Sequence, residues 1–269
     1  MSLHTTLIAF EDLQPGMLLI DVSFDLADTG AGERAYAAGH LPGAQYLHLD
    51  RDLSGAKTGS NGRHPLPDRA AFAQRMRQLG LSKDTQVVAY DRQGGMYAAR
   101  LWWMLRWIGH SAVAVLDGGP QGTMTTDTPQ PQAGDVELAE SLTPMLDAAA
   151  LQAKLGNVRL VDARAPERFR GEVEPLDKQA GHIPGAANRL FKLNQQDNGR
   201  FKPAAILRAE FDQLLAPFPA AEVVHQCGSG VTACHNLLAM EYAGLQGSAL
   251  YAGSWSEWSS DPARPVAIG

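Results

Sequence analysis

The sequence predicts an α/β fold made twice over: two tandem domains, each an open parallel sheet with helices on both faces. Three observations lead there. The first is an internal repeat. Leu19-Ile20-Asp21-Val22, followed by Gly39-His40-Leu41-Pro42-Gly43-Ala44, returns as Leu160-Val161-Asp162-Ala163 and Gly181-His182-Ile183-Pro184-Gly185-Ala186. Aspartate and histidine are 19 residues apart in the first copy and 20 in the second. The second observation is a set of short apolar runs with no alternation, the mark of strands buried on both faces. The third is that helical patterns separate those runs, which makes the strands parallel.

Taken in order, residues 18–22, 86–90 and 112–116 read as strands of the first copy. Residues 69–79 carry apolar positions on one face, and residues 98–108 are apolar almost all round, a helix buried on every side. Residues 204–215 and 232–243 are the matching helices of the second copy. The run Val87-Val88-Ala89-Tyr90-Asp91 parallels Val223-Val224-His225-Gln226-Cys227, and Leu116-Asp117-Gly118-Gly119 parallels Leu250-Tyr251-Ala252-Gly253. Between the copies, residues 122–140 include Pro129, Pro131 and several Thr and Gln, a composition that favours neither helix nor strand. The expected organisation is a domain over 1–124, a linker over 125–141 and a second domain over 142–269.

Composition narrows the class. With 45% hydrophobic and 19% charged residues among 269, the chain is expected to pack as a globular protein. A net charge of −6 without clustered Lys and Arg argues against nucleic acid as a partner. The apolar runs are too short to cross a bilayer, and residues 1–5 lack the basic and apolar regions of a secretory leader. Two cysteines, Cys227 and Cys234, do not make a disulfide scaffold and are too few for an all-cysteine zinc site. A reducing, cytoplasmic setting is the expectation.

The chemistry centres on Cys227-Gly228-Ser229-Gly230-Val231-Thr232, between a strand and a helix start. A helix N-terminus directs unpaired N–H groups and partial positive charge at what sits there. Such a place favours the thiolate, the nucleophilic form of cysteine. A cysteine-based phosphatase needs an arginine six residues beyond its cysteine, where this chain has Ala233. The shorter loop suits one extra atom on sulfur, held by the amides of Gly228, Gly230, Val231 and Thr232. Cys234, two helical turns on, reads as a small buried helix residue. Asp21 and Asp162 end their strands and are expected to fix loops through backbone hydrogen bonds.

This loop, the twin Gly-His-(Leu/Ile)-Pro-Gly-Ala motifs and Gly253-Ser254-Trp255-Ser256-Glu257-Trp258 resemble the tandem rhodanese sulfurtransferases over nearly the whole chain. The loop is closer to the 3-mercaptopyruvate type than to the thiosulfate type, which has basic residues where Gly228 and Ser229 stand. The resemblance implies that only the second domain bears the nucleophile. Asp91 stands at the cysteine position of the first, which is therefore expected to be catalytically silent. It further implies transfer of sulfane sulfur through a Cys227 persulfide without metal or organic cofactor. The donor is a small molecule, 3-mercaptopyruvate or alternatively thiosulfate. The acceptor is a small thiol, cyanide or a thioredoxin-like protein. A non-enzymatic sulfur-carrying or regulatory module is the rival from another class.

By the same resemblance Arg168 binds the donor's anionic end. Leu176 replaces a second family arginine, and Arg189 is the candidate to compensate. Ser229 is expected to relay a proton with a histidine and an aspartate from the first domain, for which His40 and Asp28 are the candidates, with Asp25 a rival to the latter. The neutral Gly228-Ser229 pair favours 3-mercaptopyruvate over doubly charged thiosulfate.

Overall fold

Both copies of the repeat fold into five-stranded, all-parallel sheets of the same strand order, as seen in a computed structural model that describes residues 3–269. Met1 and Ser2, which open the stretch read for a leader, lie outside the described residues. The first copy runs β1 (Leu7–Ile8), β2 (Leu18–Asp21), α1 (Ala31–Ala38), β3 (Gln45–Tyr46), α2 (Arg69–Gln78), β4 (Val87–Tyr90), α3 (Ala98–Trp107) and β5 (Val113–Leu116). Its sheet order is β1-β5-β4-β2-β3. The second runs β6 (Met145–Leu146), α4 (Ala148–Lys154), β7 (Arg159–Asp162), α5 (Pro166–Phe169), β8 (Ala187–Asn188), α6 (Ala204–Leu215), β9 (Val223–Gln226), α7 (Ala233–Tyr242), β10 (Ala249–Tyr251) and α8 (Ser254–Trp258). Its order, β6-β10-β9-β7-β8, is the first copy's order shifted by five strands. The fold is the predicted α/β one.

The central strands explain why the apolar runs were readable. All four residues of β4 and all four of β9 are buried, as strands covered on both faces require. Helix α3 buries nine of its ten residues, in keeping with its apolar circumference. Its Trp102 indole donates to the Thr5 carbonyl at 2.8 Å, which satisfies that polar edge within the buried helix. Helices α2 and α4 begin on aspartates, Asp68 and Asp147, whose carboxylates accept the N–H groups of Ala71 and Ala150.

The registers fix an equivalence at the point that matters. Asp21 pairs with Tyr90 at the end of β2 and β4, and Asp162 pairs with Gln226 at the end of β7 and β9. The next residues, Asp91 and Cys227, therefore leave equivalent strand ends. Asp21 and Asp162 accept the N–H of Ser23 and Arg164 at 2.8 and 2.9 Å, holding the neighbouring loops as expected.

Two short stretches group with the opposite half of the chain. Residues 3–55, 66–142 and 197–201 form one compact unit; residues 56–65, 143–196 and 202–269 form the other. The segment Ala56–Pro65 is tied into the second unit by the Arg63 N–H on Ser256 Oγ at 3.0 Å and by Ser260 Oγ on the Ser60 carbonyl at 3.2 Å. The segment Asp197–Phe201 is tied into the first by the Phe201 N–H on Asp117 Oδ1 at 2.8 Å. Residues 125–141 have no helix or ladder, but they follow the first unit through backbone bonds from Gly134 to Arg77, Val136 to Leu81 and Ala139 to Ile108.

In the first unit Asp91 is wholly buried. Its carboxylate accepts the N–H groups of Gln93, Gly95, Tyr97 and Ala98 at 2.7–2.9 Å. Burial pushes this carboxyl up from its ordinary value, and the amides act in the opposite sense. The strand-to-helix loop is thus an anion cradle filled by its own chain. Asp91→Ala leaves four N–H donors without their acceptor and should cost at least about 3 kcal/mol. The measurement is urea-induced unfolding against the parent, and equal midpoints would contradict the cradle.

Candidate active site

The second unit presents the same strand-to-helix loop with a thiol where the carboxylate stood. Cys227 follows β9 and is only 2% exposed. Its N–H donates to Ser254 Oγ at 3.1 Å, and its carbonyl accepts the Trp255 N–H at 3.0 Å. The Gly228 carbonyl accepts the Ser256 N–H at 2.9 Å, so the loop is pinned along the start of α8. Ser254 adopts φ +54°, and its hydroxyl donates on to the Tyr251 carbonyl at 2.9 Å. A non-glycine residue with φ > 0, fully buried, is strain held in place by this anchoring.

Gly230 is required twice over. It has φ +74°, and a Cβ there would lie 2.2 Å from the Ala252 carbonyl oxygen. The turn it permits leads into α7, whose first turn forms with Cys234 and His235 donating to Val231 and Thr232. The N–H groups of Gly228, Ser229, Val231 and Thr232 meet no acceptor among the described residues. The corresponding loop of the first unit gives four N–H groups to Asp91. Here the loop holds donors ready for an anion beside the thiol.

Ser229 is nearly buried, and its Oγ lies 2.7 Å from Nδ1 of His64, which is 4% exposed. His64 comes from the segment Ala56–Pro65, so the second unit takes its imidazole from far back in the chain. His40, the candidate drawn from the repeat motif, has a different place. Its Nδ1 bonds the Tyr36 carbonyl and its Nε2 the Asp127 carbonyl, and the ring stacks on Tyr36 at 3.9 Å. His182 repeats the arrangement, with Nδ1 on the Phe169 carbonyl and the ring stacked on Phe169 at 3.8 Å. In both copies the histidine locks its own turn, and the imidazole that meets Ser229 is that of His64.

Asp28 is also corrected. It is an exposed residue whose carboxylate is engaged by Arg34, and that hydrogen bond lowers its carboxyl from the ordinary value. Its rival Asp25 accepts the Ala27 N–H at 2.7 Å in an exposed turn.

Arg168 stands at the loop. Its Nη2 donates to Glu174 at 2.7 Å and Asp177 at 3.1 Å, while Nη1 lies 3.5 Å from where a Cβ on Gly228 would be. A second guanidinium, Arg63, approaches closer still, with Nη2 2.7 Å from that point. Arg63 is ion-paired to Asp177, whose carboxyl is pushed up by burial and drawn down by Arg63. The Nε atoms of Arg63 and Arg168 are buried and have no acceptor among the described residues. The loop contains no basic residue, yet two guanidinium groups stand against it, each paired with a carboxylate.

Leu176 is 47% exposed and does not supply the second basic group, and neither does Arg189. The Arg189 guanidinium is buried, bonds Asn194 at 3.0 Å and Glu210 at 2.7 Å, and lies over the Phe211 ring. It stitches β8 to α6, which corrects its assignment to the donor. Trp255 and Trp258 are fully buried core residues behind the loop, with indoles on the Gln179 and Pro265 carbonyls. Cys234 is buried, with Sγ 3.4 Å from the Gly230 carbonyl, as a small helix residue should be.

Sequence reasoning missed His64 and Arg63 because their segment, Gly59-Ser60-Asn61-Gly62, reads as a bare polar turn. The only available signal was His-Pro following an arginine there, with no periodicity to place it.

Two stretches of the chain, residues 8–124 and 147–261, match the rhodanese-like domain. The chain belongs to the rhodanese family. It is 47% identical to a probable 3-mercaptopyruvate sulfurtransferase of Pseudomonas aeruginosa, over 95% of this chain and 94% of that one. It is 40% identical to a putative thiosulfate sulfurtransferase of Mycobacterium tuberculosis, over 93% and 90%. Among solved structures it resembles the 3-mercaptopyruvate sulfurtransferase SseA of Escherichia coli, with a TM-score of 0.79 at 28% identity, covering 94% of this chain and all (100%) of that one. This rhodanese-family chain is a sulfurtransferase. No helix among its described residues is long and apolar enough to cross a membrane.

Gly230→Ala places a methyl group against the Ala252 carbonyl in a backbone conformation that alanine resists. It should destabilise the second unit by more than about 2 kcal/mol and depress sulfur transfer in proportion to the displaced loop. Thermal unfolding together with turnover checks this; parent-like behaviour in both would contradict the close approach.

Proposed function

We propose that this sulfurtransferase takes sulfur from 3-mercaptopyruvate onto Cys227 and passes it to a thiol. The observation that carries the reading is the 2.7 Å contact between Ser229 Oγ and His64 Nδ1 beside the thiol. The Cys227 thiolate attacks the donor sulfur, the S–S bond forms, and the C–S bond breaks with its electron pair passing to carbon as the enolate of pyruvate. That enolate needs a proton, which the Ser229–His64 pair is placed to deliver, drawing on the proton the donor thiol brings in. Thiosulfate has no such need: attack on its outer sulfur releases sulfite directly, and the charges balance with no proton moved. A serine–histidine pair at the thiol is therefore matched to the mercaptopyruvate reaction.

The donor's carboxylate is assigned to Arg63 and Arg168, where planar guanidinium groups bind it by paired hydrogen bonds. The N–H groups of the Cys227 loop hold the persulfide, as an oxyanion hole holds charge. A small thiol, a thioredoxin-like protein or cyanide then attacks the outer sulfur and frees the Cys227 thiolate, which gives ping-pong kinetics. Two buried cysteines without a disulfide fit work in a reducing, cytoplasmic setting. In this reading the first domain, with Asp91 in its cradle, carries no sulfur. Thiosulfate is the alternative donor, its anionic end meeting the same two guanidinium groups beside Gly228.

Mass spectrometry after brief exposure to 3-mercaptopyruvate should find one added sulfur on Cys227 and none on Cys234. Cys227→Ser should abolish both loading and turnover, and sulfur found on Cys234 alone would sink the mechanism. His64→Ala should lower kcat with 3-mercaptopyruvate by about 10²-fold or more and leave thiosulfate turnover much less changed. His40→Ala should not reproduce that split between donors. Equal losses with both donors for His64→Ala would remove the proton-delivery role.

A further inference from the structure

Around the two arginines at Gly228 lies a closed account of charge. Arg164 is committed to Asp162 by bonds of 2.7–3.1 Å and reaches Glu174 at 3.5 Å. Glu174 holds Arg168, and its Oε1 also accepts the backbone N–H groups of Leu176 and Asp177. Asp177 touches both Arg168 and Arg63. Three arginines thus meet three carboxylates, and the cluster is neutral before any donor arrives. Asp177 is only 3% exposed at its side chain, so solvent does little to screen it from a ligand at the loop.

The geometry points to Asp177 as the residue that sets which donor charge this site accepts. It holds the two guanidinium groups against Gly228, and it cancels part of the positive charge they would offer. A donor with one negative charge meets that residual carboxylate once. A dianion such as thiosulfate meets it with twice the charge, so the same carboxylate discriminates against it more strongly. Asp177 touches neither the thiol nor the loop amides in this arrangement. It acts through Arg63 and Arg168 as a positioning and specificity residue. The inference rests on the assignment of the donor's anionic end to those two arginines.

The test is the ratio of kcat/KM for thiosulfate to that for 3-mercaptopyruvate, taken within each variant so that the active fraction cancels. Asp177→Asn removes one negative charge at nearly constant shape and should raise the ratio by about tenfold or more. Arg63→Gln removes one positive charge and should lower it. A ratio within about twofold of the parent in Asp177→Asn, or a fall in it, overturns the inference. Loss of both donors in both variants also overturns it, since the carboxylate would then be a support and not a selector. Persulfide loading of Cys227 is read by mass spectrometry in the same samples. If parent Cys227 does not load, the proposed function itself has failed; if it loads and the ratio does not move, only the role of Asp177 has.

Discussion

A parallel strand that ends against the start of a helix turns several backbone N–H groups toward one point, and those donors must be met by something negative. Both copies of the repeat contain this constraint, and they satisfy it differently. In the first, Asp91 folds its own carboxylate into the cradle and four amides close on it. In the second, glycines at 228 and 230 and a thiol at 227 leave the amides directed at whatever joins the sulfur. The same electrostatic requirement that stabilises one domain becomes chemistry in the other.

The surroundings of the thiol are built by clamping. Ser254, strained and buried, holds the Cys227 N–H, while Trp255 and Ser256 hold the next two carbonyls. Gly228 lacks a side chain, and that space is where Arg63 and Arg168 approach. A larger residue at 228 would exclude the guanidinium groups, so the absence of charge within the loop is what lets charge come close to it.

The architecture was legible in the sequence because it rests on local rules. The fully apolar runs at 87–90 and 113–116, the buried helix at 98–107 and the duplicated turn motifs each follow from periodicity or turn chemistry, and the observed elements match them to within a residue or two. The place of the Cys227 loop was legible for the same reason: strand, glycine turn and helix are consecutive. Arg168 and Ser229 came with the resemblance. What was not legible depends on distance along the chain. His64 and Ser229 are separated by 165 positions, and nothing in a polar Gly-Ser-Asn-Gly turn announces that link. The repeat itself misled, because it made His40 conspicuous for a structural reason that His182 shares. Arg189 was chosen for its position in the sequence, and the pull of Glu210 and the face of Phe211 turned it inward.

The reciprocal exchange of Ala56–Pro65 and Asp197–Phe201 between the halves has a consequence for how such a chain changes over time. A duplicated gene ordinarily leaves two modules, and either can drift or be lost without dismantling the other. Here the half that lacks the thiol encodes the imidazole and one guanidinium that the other half uses, and the half with the thiol encodes five residues that complete its neighbour. Severed at the linker, the second repeat would keep Cys227 and lose His64 and Arg63, the groups to which the proposed reaction assigns the proton and the carboxylate. On that reading the first copy cannot be shed without leaving the second incomplete.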